Sequence, residues 1–471
     1  MMTELINQNT KTSIFKLFMQ AIRGDVKDFT TGSIDRAIFL LAVPMVLEMS
    51  LESLFAIVDI FFVNKVSPSA AAVVGLTEAS LTILYSIAWG LAMGATALIA
   101  RRAGEKDFKT ASSVAAQSII IAAAFSVFIS VIGIIFPKEI LGFMGADAKV
   151  VEDSYQFTQL MMGSNIVIML LFVNNGIFRG AGDASIAMKA LLIANAINII
   201  LDPLLIMGYG PFPKMGLMGA AVATTIGRGC GVIYQLYHLF AGRDLIKLTI
   251  NQFRIKLNLV KNILNTSSGG MFQFLIGSCS WIFLAKIIAE SGVEATAGYF
   301  TAIRICIFTI LPAWGIANAA ATLTGQNLGA GQPDRAAKSV WRSAFLALCF
   351  FALVAVIFFF FGETLMQFFT SNRQAINEGT LCLHILAISY MFFAYGMVLT
   401  QAFNGAGDSK TPTYINLVVF WALQIPLAYC LAKYLKMGSL GVYIAIGIAE
   451  TVLAIVSIII FKRGKWKLVK V

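Results

Sequence analysis

The residues best suited to chemistry are acids and amides set inside long apolar runs. Glu48, Glu52 and Asp59 share one run, and at helical spacing they fall within a sector of about 40°. A second run carries Asn198 and Asp202 one turn apart, followed by Pro203. Proline has no N–H, so a helix through Pro203 leaves the carbonyl of Ile199 without its usual donor. Thr224 and Thr225 add hydroxyls on the next run. Carboxylate, amide, hydroxyl and carbonyl oxygens suit a hard cation such as Na⁺, and a desolvated carboxyl equally suits H⁺. Asp59, Asn198 and Asp202 are therefore the expected site of a coupling cation, and a metal-ion site only if that cation is Na⁺. Glu48 and Glu52 have two readings: cavity groups that attract a cationic substrate, or neutral hydrogen-bonded packing residues. Gln273 and Arg304 are further polar residues inside spans, and both are taken as substrate-cavity candidates. Arg304 and Glu450 also read as inter-helix contacts, while Lys286 and Glu290 are spaced to pair with each other.

Groups of this kind need elements that hold them in a low-dielectric medium, and the composition says which medium. Of 471 residues, 58 % are apolar and 13 % charged, against roughly a quarter charged in soluble domains. Mean hydropathy is +0.82. A water-soluble globule cannot cover that much apolar surface, so the bilayer is the expected solvent. Only two histidines exist, His238 and His384, each read as a lone helix residue. The six cysteines form no CxxC pair and read as small buried hydrophobes. Neither an enzyme active site nor a cofactor is expected. The net charge of +11 reflects basic cytoplasmic loops rather than nucleic-acid binding.

A spanning helix needs about 20 apolar residues, and twelve such runs lie between residues 37 and 462. Counted over alternate connections, Lys and Arg number 25 on one side and 7 on the other. The richer side is cytoplasmic, which puts both termini inside. The expected protein is a multi-pass inner or plasma membrane chain, monomeric and surrounded by lipid. A short amphipathic piece, Ile14, Phe15, Phe18 and Ile22, lies on the inner surface in this reading.

The chain repeats itself. Phe178-Arg-Gly-Ala-Gly-Asp183 recurs as Phe403-Asn-Gly-Ala-Gly-Asp408, and Gly104-Glu-Lys-Asp107 is matched with Gly331-Gln-Pro-Asp334. Both motifs fall at like places among the spans, which indicates duplication. Six spans return the chain to its starting side, so the halves relate by an axis along the membrane normal. The expected fold is all-α: a tail (1–35), a six-helix N-lobe (36–241), a linker (242–265), a six-helix C-lobe (266–462) and a basic tail (463–471). The GAGD stretches lack a P-loop's context and read as tight turns, with Gly at positive φ and Asp capping the next helix. Pairing Pro203 with Pro426 sets Asp202 against Ile425 and Asn198 against Trp421. On that register the acids occur only in the first half.

Together, Pro44 with Val-Asp59-Ile-Phe-Phe fifteen residues on, Ala-Arg-Arg-Ala-Gly104-Glu, Asn198-Ile-Ile-Leu-Asp202-Pro203, Gly219-Ala-Ala, Gly325-Gln-Asn-Leu-Gly-Ala-Gly331 and the two GAGD turns carry a resemblance. Over nearly all of residues 35–462 the sequence resembles the multidrug and toxic compound extrusion (MATE) family, and most of all its DinF-like branch. The resemblance implies a two-lobe antiporter that exports small organic, often cationic, compounds against inward H⁺ or Na⁺ flow. It implies an N-lobe ion site on Asp59, Asn198 and Asp202, completed by a threonine of the sixth span, here assigned to Thr224. It also implies bending of the first helix at Pro44, with Pro203 as a second hinge. Acids found in the C-lobe of another branch are replaced here by Gln273 and Phe393. The alternative reading is a flippase or exporter of a lipid-linked or endogenous metabolite.

Overall fold

The computed structural model describes residues 14–25, 28–64, 68–242 and 245–470. Within the helices, the side chains at 56, 57, 59, 60, 64 and 68–72 also lie outside the description, and Asp59 is among them. Twelve helices are long and apolar enough to cross a membrane, and the described residues include no strand. A short helix α1 (Ile14–Arg23) comes first, with Ile14 and Phe15 exposed and Ala21 buried, as expected of an amphipathic surface piece. The first three spans are α2 (Ile34–Asn64), α3 (Pro68–Gly104) and α4 (Phe108–Ile135). The turn before α4 is capped by Asp107, which accepts from the Thr110 amide at 3.0 Å. Bonds from the Thr110 side chain and backbone hold the Asp107 carboxyl below its usual range.

The fourth span follows a short α5 (Pro137–Phe143) and is two helices, α6 (Ala148–Gly163) and α7 (Ile166–Ala181). The break is tied by Asn165, which is fully buried: Ser126 Oγ donates to its Oδ1 at 2.6 Å, and its Nδ2 donates to Ser130 Oγ at 2.9 Å. Such pairing is what a polar break inside a membrane requires. Helices α8 (Ala184–Met207) and α9 (Leu217–Ala241) complete the first half. The connection does not run free in solvent. Ile246 and Leu248 are buried, and the buried Gln117 donates to the carbonyls of Gln252 (2.9 Å) and Arg254 (3.0 Å).

The second half comprises α10 (Leu257–Ala289), α11 (Val293–Gly329), α12 (Pro333–Gln367), α13 (Arg373–Gly405), the eleventh span (Lys410–Tyr434) and a last long helix, Ser439–Lys462. The eleventh span begins as α14 (Lys410–Asn416). It widens to π-helix at Leu417–Gln424 and Cys430–Tyr434, on either side of α15 (Ile425–Tyr429). Pro426 removes an internal donor, and the wider turns re-pair the carbonyls around it. The last helix is α16. Cys349 and Cys430 are exposed on their helices, against the expectation that all cysteines are buried.

The two halves meet through reciprocal contacts, the signature of a two-fold relation. Gly104 packs on the backbone of Gln326, and Gly329 packs on that of Arg101; both members of one contact lie 225 positions from their mates (104 and 329, 101 and 326). Likewise Gly90 meets Met271 while Gly315 meets Val46. Trp89 and Trp314 are themselves equivalent (314 − 89 = 225), and their rings lie 5.9 Å apart, so the axis passes between them. Equivalent residues meet at equal depth, which directs that axis along the helices. In this register Lys106 (φ 60) matches Gly331 (φ 71), and Gly104 matches Gly329 rather than Gly331. The GAGD turns hold Gly182 and Gly407 at the same φ of 88°. Asp408 caps as expected, accepting from the Thr411 amide at 3.2 Å. Asp183 instead accepts from Ser185 Oγ at 2.9 Å and caps no helix amide.

Further braces lie on the same side of the tryptophan pair as these turns. Thr322 Oγ1 donates to the Arg179 carbonyl, and Gln326 Nε2 to that of Gly180, each at 3.2 Å. Arg335 donates to the carbonyls of Gly32 (2.8 Å) and Thr31 (2.9 Å), and Arg342 pairs with Asp35 at 2.6 Å. The basic tail takes part. Trp466 is buried and stacks on Phe461 at 4.6 Å, while Arg101 donates to the Val469 carbonyl. Trp466 thus ties the tail to the protein, while Lys462, Arg463, Lys465 and Lys470 stay exposed.

Candidate functional site

Two regions are built differently. The first is a polar core inside the first half. Glu48 on α2 is fully buried and pairs with Arg179 on α7 at 3.4 Å. One turn on, Glu52 pairs with Arg228 on α9 at 2.9 Å, and the Arg228 guanidinium lies 4.5 Å from the Phe55 ring centre. Both glutamates thus tie helices together inside the first half, and neither lines the cavity described below. On α8, Asn198 and Asp202 are fully buried, and Asn198 Nδ2 donates to Asp202 Oδ1 at 3.2 Å. Asn198 Oδ1 has no protein partner among the described residues. Gly227 lets α9 approach α8 beside Asn198. Thr224 is buried on α9 three residues before Gly227, so it shares that face. Thr225 is engaged elsewhere, donating to the Ala221 carbonyl and lying 3.0 Å from Ser164 Oγ. Pro44 and Pro203 both sit inside continuous helices. Asp59 lies on α2, its side chain outside the described residues.

The second region is a cavity of about 560 Å³, formed mainly by the second half with Trp89 and Met93 of α3 contributing. Its wall is aromatic and aliphatic, including Trp314, Tyr390 and Phe393. Gln273 lines it but is also a bolt: Gln273 and Asn404 exchange hydrogen bonds at 3.0 and 3.1 Å. This pair is the repeat of Glu48 and Arg179. Each pair spans 131 residues and joins the first helix of its half to the fourth. One half holds the link with charge, the other with amides. Arg304 is exposed on α11 and does not line the cavity.

The fold corrects the proline register. In the first half, Met215 and Gly216 amides donate to the carbonyls of Leu205 and Ile206. In the second, Met437 and Gly438 donate to Leu431 and Ala432. The acceptors are offset by 226 (431 − 205), whereas Pro203 and Pro426 are offset by 223. The counterpart of Asn198 is therefore Gln424, a buried amide bonded to Ser280 Oγ at 3.0 Å, and that of Asp202 is Ala428. On neither register does an acid stand at the counterpart of Asn198 or Asp202.

Several polar residues escaped the sequence reading. Asn174, Asn175, Asn195 and Gln235 are buried in the first half, where Gln235 Nε2 donates to Asn175 Oδ1. Adjacent asparagines in an apolar helix were the available signal. Glu78 is a further acid within the α3 span. Glu450 lines the cavity instead of joining helices. Glu290 pairs with Lys433 at 2.7 Å, not with Lys286.

Twelve spans in two equivalent halves, a buried polar core and a separate apolar cavity define an integral-membrane transporter and not an enzyme. The MatE family model matches the chain twice, over residues 44–204 and 270–430, and the protein belongs to that family. It is 28 % identical to the "Probable multidrug resistance protein NorM" of Thermotoga maritima over 92 % of this chain and 93 % of that one. It is 25 % identical to the "FAD transporter" of Shewanella oneidensis, over 85 % and 88 %. A solved Pyrococcus furiosus transporter, described as having a binding pocket of reverse polarity that suggests a different function, superposes with a TM-score of 0.87. That match has 26 % identity over 96 % of this chain and 98 % of the other.

Proposed function

We propose that the protein exports amphipathic organic compounds across the cell membrane in exchange for H⁺ or Na⁺, by alternating access of its two halves. The observation that carries this reading is the separation of a charged, oxygen-rich core in one half from an apolar cavity of about 560 Å³ in the other. The cavity is within the usual range for drug-sized ligands. Relatives bearing multidrug-export names support the substrate class. Residues 36–241 and 266–462 act as the moving lobes. With both termini and the more basic connections cytoplasmic, the braces described above close the inner face, so the conformation is outward-open.

In the proposed cycle the coupling cation binds Asp202, Asn198 and Asp59, with Thr224 beside them. Its charge is neutralised there, α2 repacks around Pro44, and cargo affinity on the outer side falls. Pro44 leaves the Leu40 carbonyl without an intrahelical donor, which eases that bend. A hundredfold difference in ion affinity between the two states would provide about 2.7 kcal/mol of coupling.

The test is accumulation of ethidium inside everted vesicles, where export from the cytoplasmic face reads as uptake, under separately imposed H⁺ and Na⁺ gradients. Movement against the ethidium gradient with either ion is expected, and none with both would overturn the reading. The relative named for FAD favours a metabolite-exporting alternative. Against an anionic cargo, the residues lining the cavity include a carboxylate and no Lys or Arg.

A further inference from the structure

We infer that Glu450, on the twelfth span, anchors a drug-sized aromatic cation in the cavity of the second half. The inference rests on the reading of that cavity as the cargo site. Among the described residues, Glu450 is the one Asp, Glu, Lys or Arg that lines it, and its Oε2 is buried with no hydrogen-bond partner. A carboxylate held in apolar surroundings is costly unless a cation pairs with it. The described residues of the lining include no lysine, arginine or histidine to do so.

Two more lining groups share this condition. Among the described residues, Trp314 Nε1–H is a buried donor without an acceptor, and Asn416 Oδ1 is a buried acceptor without a donor. The native fold satisfies most buried polar groups, and here three unsatisfied ones border a single cavity. By contrast, several other polar lining groups are occupied, Ser389 and Thr400 by helix carbonyls. Gln273 is bonded to Asn404, and the Tyr390 hydroxyl lies 3.3 Å from Thr309 Oγ1.

The aromatic wall completes the specification. Trp89 and Trp314 lie 5.9 Å apart with their planes inclined at 47°, and both border the cavity. Their ring faces attract a cation and stack on a planar body. A carboxylate, an amide oxygen and an indole N–H around an aromatic chamber therefore fit a flat monocation that carries its own donor and acceptor. An anionic cargo would meet the Glu450 charge with no compensating base.

The test uses the full-length protein in lipid nanodiscs without any ion gradient. Ethidium serves as the cationic probe and Nile red as the uncharged one, each followed by fluorescence titration. Glu450→Gln is expected to weaken ethidium binding about tenfold or more while leaving Nile red binding unchanged. Glu450→Asp should recover part of the loss. Thermal unfolding of each variant reports on its fold. Unchanged ethidium affinity in Glu450→Gln would overturn the assignment. So would an equal loss for both probes, which would mark a packing defect, or the absence of ethidium binding to the wild type. If the wild type binds ethidium and Glu450→Gln binds it more weakly, but vesicles show no gradient-driven accumulation, the anchor stands and the antiport reading fails.

Discussion

Removing Arg179 would strand Glu48 in a site with no exposure. Arg179→Asn should cost about 3 kcal/mol or more, read as a lowered unfolding temperature in detergent. The double change Glu48→Gln with Arg179→Asn copies the amide pair that the second half already uses, and most of that loss should return. If the double variant is as unstable as the single one, the two pairs are not interchangeable links. Asp202→Asn should insert normally and lose ion-driven accumulation in the vesicle assay; wild-type rates would rule out its part in coupling. At this scale the sequence was informative about type and poor about partners. Acids inside apolar runs were visible, as was the turn joining Asn198 to Asp202. That Glu48 faces Arg179, 131 residues away, depends on how α2 packs on α7. Glu450 could be seen, but nothing along the chain shows that its neighbours leave it alone.

Among the elements, the glycines at the crossing of α3 and α11 set how closely the two halves approach. A methyl group at Gly104 or Gly329 would overlap the backbone of the opposite helix. Gly104→Ala is therefore expected to destabilise by about 1–3 kcal/mol, and Gly329→Ala by a similar amount because the two contacts are equivalent. Unfolding measurements on the pair check both size and symmetry, and a large effect in only one would contradict a reciprocal crossing. Helix number was legible because each span is a long apolar run, and the repeat because its turns demand particular residues. Gly182 and Gly407 share one φ value. The register of the eleventh span was not legible. Pro203 and Pro426 do not stand at equivalent places: the GAGD turns before them are offset by 225 (408 − 183) and the acceptors after them by 226 (431 − 205), so matching proline to proline misplaced Asn198 by three positions.

For the molecule as a whole, the closure on the side of the GAGD turns joins both halves through Arg335, Arg342 and the reciprocal glycines. Replacing both arginines with alanine should favour opening on that face. Ala319 is fully buried there, so in a cysteine-free background a cysteine at 319 should react faster with a polar thiol reagent once the arginines are gone. An unchanged labelling rate would show that the arginines do not hold the closure. The basic tail illustrates the limit of reading a charge run from sequence. Five basic residues read as a surface anchor, and the single Trp466 among them additionally packs the tail onto Phe461.

The amide link between Gln273 and Asn404 has a consequence for selectivity. Asn404 occupies the place held by Arg179 in the other half, and its partner Gln273 borders the aromatic chamber. An arginine restored at 404 would set a fixed positive charge beneath that chamber's floor and repel any incoming ammonium or iminium group. Divergence of the duplicated blueprint has thus put an ion pair at this junction in one half and a neutral amide pair in the other, and has kept fixed positive charge away from the chamber wall that the described residues form.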